Sequence, residues 1–417
     1  MKLFSKPSIL LILVLGPAIF VPSCSKDSFT PDPPIPYVDP EPKVTGTDYL
    51  EDYKLNIYNF EYPSSDPYGK PVTLSGTITV GDEVTEETPA LGTVVINHFT
   101  TYRKDQCPSK GDLMIQKIVS GSGLVAVSPD LYGFGSTEAY HQAYCMGKTN
   151  AQAGIDALIS ARKLFPELGI SFVEGKEDQL FNLGYSQGGQ TSIALLKLAT
   201  ANYPELIITH TFAGAGPYSI PDTYRTFIES AQSGMPSTVV SVLLAYNEFF
   251  KLGISRSAMF NSPVLENIDS WFFSKDYTST EIDKFIGSLT LPDIVTADMT
   301  DLTSDYSRKF MTVFETENLC KGWTPKQSDR INLVYNEKDT TVPPVNSTML
   351  YDYLVNTLQM ENVSLKGASV SELIPATVSR HEAGAIDFAY DVVGTLDTEY
   401  GISAWAGLTK LIQEYIK

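Results

Sequence analysis

Ser186, Asp339 and His381 are the residues of this chain whose types and order could do chemistry together. Ser186 lies in Gly184-Tyr185-Ser186-Gln187-Gly188, between the apolar run Leu180-Phe181-Asn182-Leu183 and a helical pattern that follows Gln190. Strand, Gly-x-Ser-x-Gly, helix is the setting of a nucleophile elbow, in which a strained turn exposes the serine hydroxyl and flanking glycines relieve crowding. A serine hydroxyl is a weak nucleophile until a histidine takes its proton and an acid fixes the histidine's tautomer and stabilises its cation. Downstream of the serine, the apolar run 331–335 leads into Asn336-Glu337-Lys338-Asp339-Thr340-Thr341-Val342-Pro343-Pro344. Asp339 is the expected acid, with Glu337, nearer the strand, as the fallback. Of four histidines only His381 follows Asp339, in a loop just ahead of a helical run at 385–393. His98, His141 and His210 read as structural. The chemistry implied is acyl transfer through an acyl-enzyme. The backbone N–H of Gln187, next to the nucleophile, is one expected donor to the oxyanion. Activity should fall as acid protonates the imidazole base. Neither the histidines nor the cysteines have metal-ligand spacing, so no metal or cofactor is expected.

These residues need a scaffold that alternates strands and helices, and the patterning supplies one. Strands are expected at 53–62 and 71–80, joined by the turn Ser64-Ser65-Asp66-Pro67-Tyr68-Gly69. Short apolar strands then alternate with amphipathic helices. Strands are expected at 93–99, 124–128, 181–184, 207–212 and 331–335, and helices at 113–119, 150–164, 187–199 and 344–358. An antiparallel hairpin feeding a parallel β-α series is an α/β layer architecture. The rhythm breaks between about 217 and 307, where Phe227, Leu243, Tyr246, Phe249, Trp271 and Phe272 crowd helical patches. A structureless loop of that length is implausible, so an inserted helical cap is expected there.

The chain has 417 residues and a formal net charge of −19, which disfavours nucleic acid and anionic membrane surfaces as partners. Lys2, Lys6 and the apolar stretch 8–20 read as an export signal, too short to span a bilayer. Val21-Pro22-Ser23-Cys24 resembles the lipobox of bacterial lipoproteins, with cleavage after residue 23 and lipid on Cys24. Six prolines between 31 and 42 then form an extended tether, placed at 24–47, ahead of one domain at 48–417. The expected location is therefore an exported lipoprotein held to a membrane only through Cys24. With Cys24 lipidated, three cysteines remain, and Cys107 with Cys145 is the favoured disulfide.

Taken together, these motifs resemble the secretory lipase group of α/β-hydrolases and the related lipase A-type secreted esterases of bacteria that degrade plant cell walls. The likeness rests on His98 at a strand end, Ser128-Pro129-Asp130-Leu131-Tyr132-Gly133-Phe134-Gly135, Gly-Tyr-Ser-Gln-Gly-Gly at the nucleophile, Asp339 with Val342-Pro343, and His381. It implies an α/β-hydrolase fold with an N-terminal antiparallel hairpin, a mostly parallel sheet and a helical cap. It also implies a carboxylic ester hydrolase whose substrates range from triacylglycerols to short acyl and wall-linked esters. Many relatives carry His-Gly after the first parallel strand; Phe99 replaces that glycine here, and the resemblance carries the second oxyanion donor to the Thr100 backbone. Asn336 stands where many relatives have glycine. The implied partner is a small-molecule, glycan or lipid ester. A serine peptidase and a non-catalytic glycan- or lipid-binding lipoprotein are the alternatives.

Overall fold

In the computed structural model the described residues are 40–416, except 112, 113 and 376. The expected export signal and Cys24 lie outside them. Nine strands form one sheet: β1 Lys43–Leu50, β2 Leu55–Ser65, β3 Pro71–Gly81, β4 Gly92–Asn97, β5 Leu124–Pro129, β6 Leu180–Tyr185, β7 His210–Gly214, β8 Ile331–Val334 and β9 Val363–Lys366. Their spatial order is β1-β2-β3-β5-β4-β6-β7-β8-β9. The β1–β2, β2–β3 and β3–β5 pairs are antiparallel, and every later pair is parallel.

The central strands are buried on both faces because both faces carry helices. Along β4, Val95 joins one apolar cluster with Ile155, Leu158, Ile193 and Leu195. Its neighbours Val94 and Ile96 point the other way, into a cluster with Phe388, Val392 and Val393. The first cluster is supplied by α2 Gly147–Leu164 and α3 Gln187–Asn202, whereas α1 Met114–Val119 lies on the second face. The helices Arg380–Tyr400 and Trp405–Ile416 complete that second face.

Between β7 and β8 the chain leaves the sheet for a helical insertion. It contains α4 Ile220–Ser230 and α5 Pro236–Phe249, then short helical pieces, then the helix Asp305–Phe314. Phe227, Val240, Leu243, Tyr246, Phe310 and Phe314 from this insertion share a core with Phe60, Tyr62 and Val127 of the sheet. The insertion is also strapped to the loop after β5. The buried Lys275 ammonium donates to the Gly133 carbonyl and, at 2.6 Å each, to those of Glu138 and Tyr140.

Three expectations change. The tether expected at 24–47 loses its last residues to β1, whose partners in β2 run from Lys43 opposite Glu61 to Leu50 opposite Leu55. An edge strand with little buried surface carries only a weak alternation signal, and β9, at the other edge, escaped for the same reason. The helix expected at 385 begins at Arg380, because Ser379 caps it by accepting the Glu382 N–H at 3.1 Å. His381 therefore sits in a first helical turn, not in a loop. Finally, Cys107 and Cys145 form no disulfide, and all three cysteines among the described residues are free and buried. Cys107 faces the Lys104 carbonyl and Ser109, while Cys320 faces the Asn346 carbonyl, so each thiol fills its own site.

Candidate active site

Ser186 occupies φ 58° and ψ −124°, a conformation that costs a non-glycine residue about 1–3 kcal/mol and needs support from its surroundings. The support is close packing. A Cβ on Gly184 would lie 2.3 Å from the Gly188 carbonyl oxygen, and one on Gly188 only 2.0 Å from that of Asn97. The third glycine, Gly189, is pressed to β7, where a Cβ would meet the Gly214 oxygen at 2.4 Å. These glycines let the elbow nest between β4 and β7, and the Ser186 N–H donates to the Gly214 carbonyl at 2.8 Å.

Asp339 is held in the turn after β8. Its Oδ1 accepts the N–H groups of Thr341 at 2.8 Å and Val342 at 2.9 Å, which leaves Oδ2 to face His381. Asn336 braces the turn, accepting the Lys338 N–H at 2.9 Å and donating to Ser371 Oγ at 3.1 Å. Glu337, the fallback acid, points to solvent and is set aside.

The three side chains meet. Asp339 Oδ2 lies 2.6 Å from His381 Nδ1, and His381 Nε2 lies 2.8 Å from Ser186 Oγ. A carboxylate can only accept, so the bonding pattern assigns the proton to Nδ1 and leaves Nε2 free to accept from the serine hydroxyl. All three residues are buried.

The proposed oxyanion donors lie on elements that touch. Gln187 is the first residue of α3, where an N–H has no intrahelical partner. Thr100 follows His98, whose carbonyl oxygen would lie 2.9 Å from a Cβ on Gly188. His98 holds this loop: its ring nitrogens lie 2.7 Å from the Phe99 carbonyl and 3.1 Å from that of Asp130. Thr100 Oγ1 is also 2.8 Å from the Tyr144 hydroxyl, a contact that sequence offered no means of finding. In the Ser-Pro-Asp loop, the buried Asp130 accepts from Ser75 Oγ at 2.5 Å and from the Ser109 N–H at 2.8 Å. Its role there is structural.

A cavity of about 540 Å³, counted with its open mouth, leads from Ser186 and Gln187 under the cap. Ile220, Tyr224, Phe227, Val239, Val242 and Phe314 of the insertion are among the residues of its wall, and no charged side chain among the described residues lines it. Its shape and lining suit an apolar group attached to a carbonyl held at Ser186.

With the geometry described, comparison with known proteins places the chain. Among solved structures, it superposes on a candidate hydrolase from Legionella pneumophila with a TM-score of 0.71 at 17% identity, covering 90% of this chain and 97% of that one. It superposes on the rice cell wall degrading esterase LipA from Xanthomonas oryzae at 0.70 and 18%, covering 86% and 97%. Lipase A from Candida antarctica matches at 0.58 and 16%, covering 83% and 81%. At such identities these neighbours speak for the α/β-hydrolase fold alone. No curated protein sequence matches the chain. The family model described as Secretory lipase matches residues 109–372, a span that holds Ser186 and Asp339 and stops short of His381. Since that span is more than half of the sequence, the chain belongs to the secretory lipase family and is a hydrolase of the lipase and esterase kind.

Proposed function

We propose that this protein is a serine carboxylic ester hydrolase working through Ser186, His381 and Asp339 on esters with an apolar acyl or aryl group. The observation that carries the reading is the hydrogen-bonded chain of 2.6 and 2.8 Å ending at the mouth of an apolar cavity. His381 Nε2 takes the Ser186 proton as Oγ attacks the ester carbonyl. Asp339 holds Nδ1–H and balances the imidazolium, and the N–H groups of Gln187 and Thr100 receive the oxyanion. His381 then protonates the departing alcohol, and the same imidazole activates water against the acyl-enzyme. No carboxylate among the described residues lines the cavity to anchor a peptide amine, which weighs against the peptidase alternative. Membership in a family of secreted lipases agrees with export. We extend this to a lipid anchor on Cys24, which would make that residue the chain's only membrane contact.

Hydrolysis of p-nitrophenyl esters from acetyl to palmitoyl tests the function. The soluble protein should begin at residue 39, so that β1 stays whole. Turnover lost in Ser186→Ala supports the reading, and the preferred chain length divides esterase from lipase. Failure of the native protein to turn over any ester refutes it.

A further inference from the structure

We propose that Tyr185, the residue immediately before the nucleophile, is a positioning residue that sets the His381 imidazole against Ser186. The proposal rests on the triad reading above. The Tyr185 hydroxyl donates to the backbone carbonyl of His381 at 2.6 Å, joining residues 196 positions apart in the chain. Its ring tilts against the imidazole with centroids 5.3 Å apart, and against Phe388, two turns further along the same helical face, at 5.6 Å.

Two glycines make room for this contact. A Cβ on Gly214 would lie 2.5 Å from Tyr185 Cδ2, and one on Gly384 2.7 Å from the Tyr185 hydroxyl oxygen. The phenol is buried, and burial pushes it well above its ordinary pKa, so it remains a donor throughout the working range.

The mechanical argument is one of reference points. Ser186 is fixed to the sheet through its N–H bond to Gly214. His381 stands in the first turn of a helix that follows the short helical turn Ser371–Leu373 rather than a sheet strand, and the carboxylate of Asp339 grips only the ring's Nδ1. Tyr185 is the last residue of β6, so its hydroxyl ties the histidine backbone to the same rigid strand that presents the nucleophile. A misplacement of about 1 Å between such groups can cost up to about a hundredfold in rate, so a bond that removes it has a measurable kinetic role.

The test is a double-mutant cycle read on the full soluble protein. Tyr185→Phe deletes only the hydroxyl. Gly384→Ala strikes the same bond from the helix side, because its methyl must displace the hydroxyl. In the Tyr185→Phe background that methyl is free to stay, 3.8 Å from the nearest ring carbon Cζ. The expected result on a short-chain p-nitrophenyl ester is a fall in kcat of about tenfold for each single variant, with KM unchanged. The rate of phosphonylation at Ser186 should fall by the same factor, and the double variant should be no slower than Tyr185→Phe. Melting curves check folding, and the two single variants approach the bond independently should one of them fail to fold. A kcat within twofold of native in Tyr185→Phe, or effects that multiply in the double variant, overturns the proposal. Ser186→Ala run alongside separates the two readings. If it still turns over ester, the triad reading fails; if it is inactive while Tyr185→Phe is not impaired, only the positioning role fails.

Discussion

Asp339 receives three N–H donors on two oxygens, two from its own turn and one from His381, and each depends on its being an acceptor only. Asn at this position must turn its NH2 toward one set of donors. Asp339→Asn is therefore expected to lose about 10⁴ in kcat, the scale seen when the histidine is left in the wrong tautomer. Glu337→Gln, two residues away in solvent, should stay within twofold of native, and steady-state kinetics on one ester decides between them. Equal losses would return Glu337 to candidacy. The side chains that chemical type and chain order single out, Ser186, Asp339 and His381, were legible in the sequence as a set that meets in the fold. Tyr185 was not, because its role depends on a partner far along the chain and on two missing Cβ atoms. The disulfide expectation failed because the count of cysteines says nothing of where each thiol packs.

At the level of elements, strands buried on both faces were readable as apolar runs, and the cap was readable as a break in their rhythm. The edges β1 and β9 were not, since they bury too little side-chain surface to leave a pattern. The end of the cap also carries a titratable group that patterning cannot reveal. Glu317 is buried, with its carboxylate 3.2 Å from the Lys148 N–H at the start of α2. Burial pushes its pKa up to about 7, against the pull of nearby N–H groups and lysines. An unfolded glutamate releases its proton at about pH 4.5, so across the window from there to about 7 the folded chain binds the extra proton. Stability from this group is thus present at low pH and lost as pH rises through the window. Glu317→Gln should match the native protein at the acid end and exceed it above pH 7, by up to about 3 kcal/mol. Urea unfolding at several pH values measures this, and a constant difference across pH would contradict it.

Across the whole molecule, the sheet carries the three candidate residues and the cap walls the cavity beside them. Ser186, Asp339 and His381 all stand beyond the C-terminal ends of parallel strands or at a helix start beside them, the place where open α/β sheets hold their ligands. The cap closes this edge with apolar side chains and is bound to the loop after β5 by Lys275. That division was legible before the structure, although the depth and lining of the cavity were not, because they depend on how separate helices pack. The central claim is that Ser186 is the nucleophile of an esterase. Its most direct test is exposure of the soluble protein to an alkyl fluorophosphonate, with residual ester turnover followed beside peptide mapping by mass. The account predicts one adduct per chain, on Ser186, formed in step with the loss of turnover and absent from Ser186→Ala. Turnover that survives full labelling of Ser186, or an adduct on another residue that tracks the loss, would contradict it.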